Sequence, residues 1–351
     1  MKVHAGSPID VVRGPRCHHG EGPVWDDAAQ RLLWVDLTAG DVHALDLGRD
    51  VVETVGLGRE VGIAVPRNDG GLALAVREGF IALDDGRETV LATPLDARPN
   101  LRMNDGACDP AGRFWAGSMA YDERPGAGSL YRLDTNGQLA TMLEDVTISN
   151  GLAWDREARW MYYIDSATGG LDRFRYEVET GEICERRRLI DFPAALGQPD
   201  GLAVDGEGCL WVAMFDGWQV RRHRPDGRLL RVIDVPVQRP TSCAFGGKDS
   251  TGYSSPRPAS AWTPPPWPSS RSPAPFSCPM SVSAALPHRR TATKRSHQEE
   301  VCESLRLMST RSSSRPTARR VTGGARPRST CSMTLVSATS TGGNPVPSGP
   351  V

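Results

Sequence analysis

The sequence predicts an all-β fold, a β-propeller, from three observations: a recurring phrase, a regular spacing between its copies, and the absence of a helical period. The phrase is an Asp, a short turn and an aromatic-rich strand. Its copies lie at 24–36, 107–119, 153–166 and 203–215, with a weaker one at 64–76. Asp-Pro-Ala-Gly and Asp-Gly-Glu-Gly are turn sequences, and the apolar and aromatic alternation after them is typical of strands. No stretch sustains a 3.6-residue period, so we expect little helix.

The spacing of the repeats decides between a propeller and other β folds. A second hairpin follows each phrase, with Asn136-Gly137 and Asp226-Gly227 as turn signals. Asn104 and Asn150 are 46 residues apart, and Asn150 and Asp200 are 50 residues apart. A period of about 40–50 residues with four strands per unit is that of a propeller blade. Five full units precede residue 240, and residues 238–247 resemble the start of a sixth.

Charge and composition divide the chain near residue 247. The whole chain has a net charge of −1, but residues 251–351 hold thirteen Lys and Arg against three Asp and Glu. The rest of the chain holds 28 against 39. Residues 251–351 also contain fifteen Pro and twenty Ser, without strand alternation. We therefore expect a propeller in residues 1–247 and a non-native, Pro-, Ser- and Arg-rich tail in residues 248–351.

The composition of residues 1–247 narrows the function classes. This part is acidic and its basic residues are dispersed, which argues against nucleic-acid binding. No apolar run approaches the roughly 20 residues of a membrane helix, and the first residues lack a signal-peptide core. Its cysteines are scattered and odd in number, at positions 17, 108, 184, 209 and 243. The cysteines argue against a disulfide framework, and we therefore expect a protein of the reducing cytoplasm.

A short polar motif precedes several of the turn phrases, and three of these motifs lie one or more blades apart. They place Glu21 in GEGPVW, Asn150 in SNGLAW and Asp200 in PDGLAV. Two carboxylates and an amide oxygen suit Ca²⁺, Mg²⁺ or Mn²⁺. The simpler alternative is that the Asn-Gly and Asp-Gly pairs only make turns. Three polar-Gly motifs at blade spacing favour a metal site over three unrelated turns.

The motifs GEGPVW, RMNDGACDPAGRFWAGSM, ISNGLAWD and QPDGLAVDGEGCLWVAM resemble the gluconolactonase/regucalcin (senescence marker protein) family over about residues 15–247. The resemblance implies a six-bladed propeller, here with an incomplete last blade. It also implies that Glu21, Asn150 and Asp200 bind one divalent ion (Ca, Zn, Mn or Mg). Arg102 and Asn104 would bind a sugar lactone, and Asp122, with Glu123 as the second choice, would be a further acidic contact.

This set of residues predicts hydrolysis of a sugar lactone to the aldonic acid. A divalent ion can polarise the lactone carbonyl, and Asp200 can take a proton from the attacking water as general base. Arg102 can face the developing oxyanion charge. Two alternatives stay open: a calcium-binding regulatory propeller without turnover, and a related hydrolase of other esters or phosphotriesters. Arg102, Asn104 and Asp122 favour a polyhydroxylated substrate.

The tail permits three interpretations: disorder, an Arg- and Ser-rich nucleic-acid arm, or a shifted reading frame. If the last base of each codon begins the next, residues 252–263 become compatible with Leu-Phe-Val-Thr-Ser-Ala-Arg-Leu-Gly-Leu-Asp. Residues 273–285 become compatible with Gly-Ala-Leu-Phe-x-x-Asp-Val-Gly-Val-Arg-Gly. Both strings resemble the closing blade of the same family, in order and in one phase. We therefore hypothesise a one-base insertion or deletion near residues 245–252.

Overall fold

The computed structural model describes residues 14–247 and 333–337, and these consist almost entirely of antiparallel β-sheet. Five four-stranded sheets follow one another along the chain, each with its strands in sequence order. We call them the first to fifth blades, because meandering four-stranded sheets that pack on their neighbours are the units of a propeller. The prediction of an all-β propeller is confirmed.

Each blade takes four consecutive strands. The first blade comprises β1–β4, at Gly20–Asp26, Arg31–Asp36, Asp41–Asp46 and Val51–Gly56. The second comprises β5–β8, at Val61–Pro66, Leu72–Val76, Gly79–Asp84 and Arg87–Ala92. The third comprises β9–β12, at Leu101–Cys108, Phe114–Ala120, Gly128–Leu133 and Leu139–Val146. The fourth comprises β13–β16, at Ser149–Trp154, Trp160–Asp165, Gly170–Tyr176 and Ile183–Asp191. The fifth comprises β17–β20, at Gln198–Val204, Leu210–Phe215, Gln219–His223 and Leu229–Asp234.

The sixth sheet has only two strands. β21 (Pro240–Phe245) pairs antiparallel with β22 (Met333–Ser337). β21 packs against β17 on one side and β1 on the other, and the Thr241 hydroxyl donates to the Gly20 carbonyl at 2.7 Å. A strand from the region predicted as tail therefore pairs with β21. Five full blades are present among the described residues, and the predicted closing strings at 252–263 and 273–285 lie outside them.

Helical structure in the described part is limited to two single 3₁₀ turns, Ser166–Thr168 and Ala194–Leu196. This confirms the low helix content expected from the sequence. Within the same residues, no helix has the length and apolarity that crossing a membrane would require.

The Asp of the recurring phrase holds the turn between the first two strands of a blade. In the third blade, Asp109 Oδ1 accepts the backbone N–H groups of Ala111 and Arg113, both at 2.9 Å. Its Oδ2 accepts the indole N–H of Trp115 at 3.0 Å. The fifth blade repeats the indole bond at 2.8 Å, between Trp211 and Asp205. The repeat is thus explained by side chain–backbone bonding that closes the turn and fixes an aromatic residue.

Apolar contacts between neighbouring blades form the core. Four clusters of buried side chains join the first blade to the second, the second to the third, the third to the fourth, and the fourth to the fifth. The far face of the fifth blade packs on β21, through Trp211, Val220 and Cys243. The outer face of the first blade forms a small cluster of its own around Trp34. Among the described residues, these last two clusters have the fewest members.

Candidate active site

A β-bulge lies near the start of the innermost strand, at or directly after a polar residue, in the first, third, fourth and fifth blades. The ladder loses register across Asn150-Gly151 between β13 and β14, and across Asp200-Gly201 between β17 and β18. In each case two residues of the inner strand lie opposite one of its partner. The same shift occurs after Glu21 in β1 and across Asn104-Asp105 in β9. Bulges redirect side chains at barrel rims and next to active sites. In β13 and β17 the bulge coincides with the Asn-Gly or Asp-Gly pair of the motif.

The glycines of these motifs allow neighbouring inner strands to approach closely. A Cβ atom at Gly62 would lie 1.8 Å from the Asn104 carbonyl oxygen. A Cβ atom at Gly151 would lie 2.6 Å from Cβ of Leu202. Both distances are too short for any side chain, so glycine is required at each position. The close approach brings the bulged residues of successive blades to one end of the central axis.

The polar side chains at this end are buried together. Their relative exposure lies between 5 and 9 % for the carboxylates of Glu21, Asp105 and Asp200 and for Arg102, Asn104 and Asn150. Burial raises the pKa of the Asp200 carboxyl well above its usual value, and the charges of Glu21 and Asp105 raise it further, while Arg102 lowers it. Burial, with Glu21 second, raises the pKa of Asp105 to about 7. Three mutually repelling carboxylates therefore share one buried site, which favours a bound cation.

An amide network joins the third, fourth and fifth blades. Asn104 donates through Nδ2 to Asn150 Oδ1 at 2.7 Å and to the Ser149 carbonyl at 2.7 Å. Asn150 donates through its own Nδ2 to Ser166 Oγ at 2.7 Å. Ser166 in turn donates to the Pro199 carbonyl at 2.6 Å, next to Asp200. Because the Ser166 hydroxyl gives its proton to the Pro199 carbonyl, it must accept from Asn150, and this fixes the orientation of the Asn150 amide.

Arg102 is a buried cation without a direct carboxylate partner. Its Nη1 donates to Asn104 Oδ1 at 2.6 Å and to the Met103 carbonyl at 3.1 Å. No carboxylate among the described residues lies within 4.0 Å of its guanidinium. Burial lowers the pKa of this guanidinium, and Glu60 and Glu21 are the first charges that oppose the effect. A buried guanidinium without a carboxylate partner is costly to keep in a folded protein.

The remaining predicted contact, Asp122, lies on the exposed loop after β10. Its Oδ1 accepts the Arg124 backbone N–H at 3.3 Å. Glu123 follows with a φ of 52°, an uncommon backbone conformation for a residue with a side chain. Glu123, and not Asp122, is among the charges that act most strongly on the pKa of Arg102. The assignment of Asp122 to the substrate stays a prediction.

The donor set must be compared with what a metal ion requires. Among the described residues, no cluster of three or more His, Cys, Asp or Glu side chains has metal-binding geometry. The predicted set contains two carboxylates and one amide oxygen, and His19 Nε2 lies 3.6 Å from Glu21 Oε1. Oxygen donors from Glu, Asn and Asp fit a hard divalent ion whose other positions are filled by water or substrate. The residues present therefore fit the predicted ion.

A large axial cavity of about 1200 Å³ lies along the innermost strands. Its walls come from the carboxyl-terminal parts of these strands, for example Val24, Leu152 and Val204. Asp105 borders the cavity, whereas Glu21, Asn150 and Asp200 do not. The cavity is mainly apolar, and we separate it from the polar site at the amino-terminal ends of the same strands.

Three residues of this region were not assigned a role from the sequence: Asp105, Ser166 and Glu60. Asp105 stood in the RMNDG motif, directly after a predicted substrate contact, so its position was a usable signal. Ser166 ends the AWDREARWMYYIDS phrase, and nothing in the sequence connects it to Asn150, 16 residues earlier in the same blade. Glu60 lies between motifs. Its role depends on contacts across blades that sequence spacing does not reveal.

Comparisons with known proteins place this geometry in context. The sequence profile of the SMP-30/Gluconolactonase/LRE-like region matches residues 19–252. Regucalcin of Bos taurus is 39% identical over 249 residues, which cover 69% of this chain and 83% of that protein. YvrE of Bacillus subtilis, which carries the name of a sugar lactone lactonase, is 36% identical over 66% of this chain and 80% of its own length.

Solved structures give the same picture. A luciferin-regenerating enzyme is 30% identical with a TM-score of 0.64, over 67% of this chain and 82% of that one. A regucalcin of Agrobacterium tumefaciens, described as a calcium-binding protein, is 27% identical with a TM-score of 0.66. That match covers 68% of this chain and 82% of the other.

Proposed function

Because the chain belongs to the SMP-30/gluconolactonase/LRE-like family, we propose that it hydrolyses a sugar lactone to the aldonic acid at the buried polar site. The observation that carries the proposal is the convergence of Glu21, Asp105 and Asp200 beside the unpaired guanidinium of Arg102. Buried carboxylates and a buried guanidinium are costly in a core that serves only to stabilise the fold, so their presence together indicates a functional site. The family resemblance stated from the sequence motifs is confirmed, and a relative named as a sugar lactone lactonase supports the substrate class.

Glu21, Asn150 and Asp200 would hold one divalent ion through two carboxylates and an amide oxygen. When bound, the ion supplies Lewis-acid polarisation of the lactone carbonyl. Burial raises the pKa of Asp200 most, and the negative charges of Glu21 and Asp105, which add to this effect, would be balanced by a cation. The identity of the ion is left open among Ca²⁺, Zn²⁺, Mn²⁺ and Mg²⁺, since oxygen donors discriminate weakly between hard cations.

The protein's own groups account for the proton and charge movements. Asp200 takes a proton from the attacking water as its oxygen bonds to the lactone carbonyl carbon. Arg102 faces the oxyanion that develops on the carbonyl oxygen, and Asn104 holds the guanidinium in place. When the ring C–O bond breaks, Asp200 returns the proton to the leaving alkoxide. The products are the open-chain hydroxyl and the acid, which ionises in solution.

The function is tested by proton release from a panel of aldonolactones, with each of the four ions and with a chelator. We expect hydrolysis with at least one ion, and loss of nearly all of it on chelation, because the ion supplies carbonyl polarisation. Rates that are the same with and without chelator would contradict the metal-dependent mechanism. Calcium binding without turnover on any lactone would favour the alternative of a calcium-binding regulatory propeller.

Replacing Ser166 with alanine should weaken metal binding about 10- to 100-fold, as expected for loss of a group that orients a ligand. The change frees the Asn150 amide to rotate, because its Nδ2 loses the 2.7 Å bond to Ser166. Titration calorimetry with the preferred ion measures the effect. Thr168→Ala in the same 3₁₀ turn is the control, because the Thr168 hydroxyl donates to the Asp165 carbonyl at 2.7 Å and bonds no other group among the described residues. Equal affinities for both variants would remove the positioning role of Ser166.

The sheet formed by β21 and β22 is proposed to stand where a sixth blade belongs. β21 carries the bulge of an innermost strand, between Pro240 and Ser242, and packs between the fifth and first blades. The family match ends at residue 252, where the sequence changes character. These observations support a natural six-bladed protein whose last blade is encoded in another reading frame.

A further inference from the structure

A pair of side chains, Glu60 and Tyr121, lies at the boundary between the second and third blades. Glu60 directly precedes β5, and Tyr121 directly follows β10. The Tyr121 hydroxyl donates to Glu60 Oε2 across this boundary. The backbone fixes both residues: the Arg77 N–H donates to the Glu60 carbonyl at 2.9 Å, and the Tyr121 N–H donates to the Asn100 carbonyl at 3.2 Å. The pair is therefore held in position before any ligand arrives.

The pair lies beside Arg102. Met119 of β10 is opposite Arg102 in the β9–β10 ladder, and Tyr121 comes two residues later. Among charged groups, Glu60 acts most strongly on the pKa of the Arg102 guanidinium, and Tyr121 also contributes. No carboxylate oxygen among the described residues comes within 4.0 Å of that guanidinium. Glu60 is thus near Arg102 but separated from it, as expected for groups on two sides of a ligand.

Glu60 has acceptor capacity to spare. Only its Oε2 accepts a side-chain hydrogen bond from the described residues, and Oε1 accepts none. The side chain is partly exposed, and Tyr121 is 48% exposed. A carboxylate oxygen can accept two hydrogen bonds, so vicinal hydroxyl groups of a sugar suit it well.

We propose that Glu60, oriented by Tyr121, is a specificity-determining residue that binds hydroxyl groups of the substrate remote from the lactone carbonyl. The inference rests on the proposed lactonase function, since it names the polyol end of that substrate. Arg102 and Asn104 face the reacting end, and Glu60 recognises the other end. The competing explanation is that Glu60 and Tyr121 only tie two blades together.

Binding and turnover of matched ligands separate the two explanations. The full chain is titrated with glucono-1,5-lactam, a polyol ring that is not hydrolysed as an ester, and is assayed on glucono-1,5-lactone and on δ-valerolactone, which lacks hydroxyl groups. We expect Glu60→Ala to weaken lactam binding and raise KM for the sugar lactone about 10- to 100-fold, as for a lost charged hydrogen bond. Glu60→Gln and Tyr121→Phe should show smaller effects of the same kind. With δ-valerolactone, kcat/KM should stay unchanged.

Glu144→Ala, an exposed carboxylate on β12, is the control and should match the parent chain in every assay. An equal loss on both lactones, or a lowered melting temperature with unchanged lactam affinity, would show a merely structural tie and overturn the inference. A parent chain that does not bind the lactam would overturn it as well. A parent chain that binds the lactam but hydrolyses no lactone would reject the lactonase function, while the binding comparison would still decide the role of Glu60.

Discussion

Replacing Asp200 with asparagine is expected to lower kcat for lactone hydrolysis by at least about a thousandfold. The substitution preserves the shape of the side chain but removes both its capacity to accept a proton and one negative charge of the proposed ion site. Asp200 is 5% exposed, so bulk water cannot readily replace it as a base. Proton release measures the rate, both in the 351-residue chain and in a chain whose reading frame is restored after β21.

The same variant should be more stable than the parent chain when metal is removed. Burial and the charges of Glu21 and Asp105 raise the pKa of Asp200 above its ordinary value of 3.8. A raised carboxyl pKa means that the folded protein holds a proton that the unfolded chain has released. The associated stability is therefore fully present below about pH 4 and is lost as the pH rises through the folded-state pKa. Asp105, with a pKa of about 7, adds to the same slope between about pH 4 and about pH 7.

Urea unfolding with chelator at several pH values measures this slope. The parent chain should lose stability from about pH 4 to pH 7, and Asp200→Asn should lose less, because one buried negative charge is absent. Asp216→Asn is a suitable control, since Asp216 belongs to the same blade but is half-exposed and bound to Arg239. A variant that keeps the parent's rate, or that is less stable than the parent without metal, would contradict the assignment of Asp200.

The sequence was sufficient for the architecture because a blade is a local unit. Each Asp turn closes within a few residues, as Asp109 does with Ala111 and Arg113, and each hairpin pairs neighbouring segments. Spacing alone then indicates which residues occupy equivalent places in successive blades. The burial of Glu21, Asn150 and Asp200 at the same end of the inner strands agrees with that expectation. Their coordination of an ion stays a prediction.

Contacts across blades could not be predicted in the same way. The bulge after Ser149 turns Asn150 inward, yet a bulge depends on register and leaves little trace in composition. Ser166 bonds Asn150 and the Pro199 carbonyl, two partners that lie 16 and 33 residues away. The strand β22 pairs with β21 from nearly 90 residues downstream, inside a segment whose composition indicated no strand. Such contacts depend on how completed blades pack.

Restoring the reading frame after β21 is expected to raise the melting temperature by about 10 °C and to raise the lactonase rate. A full blade would pack on the faces that carry the two smallest apolar clusters among the described residues, those around Trp211 in the fifth blade and Trp34 in the first. The indole N–H of Trp25, buried in the first blade, also has no hydrogen-bond partner among the described residues. If covering these faces stabilises the folded state by about 3 kcal/mol, the melting temperature rises by about 10 °C for a domain of this size.

The rate should follow because the candidate site is assembled from different blades. Glu21 belongs to the first blade and Asp200 to the fifth, and β21 is the strand that packs between them. If the sheet between the fifth and first blades is incomplete, the Glu21 and Asp200 carboxylates can move relative to each other. Catalytic and metal-binding groups must be held to within about 0.5 Å. The experiment adds one base between the codons of Phe245 and Gly252, so that each downstream codon begins with the last base of the codon before it.

Three chains should be compared by calorimetry and proton release: the 351-residue chain, the frame-restored chain, and a chain that ends at Gly247. The third chain lacks β22 and the rest of the tail. It therefore separates the contribution of the β21–β22 pairing from that of a full sixth blade. We expect the frame-restored chain to be the most stable and most active, and the shortest chain the least stable. If the 351-residue and frame-restored chains have the same melting temperature and the same lactonase rate, pairing of β22 with β21 is sufficient to close the ring. A gene sequence that does not encode the closing-blade strings in the shifted phase would end the frameshift hypothesis outright.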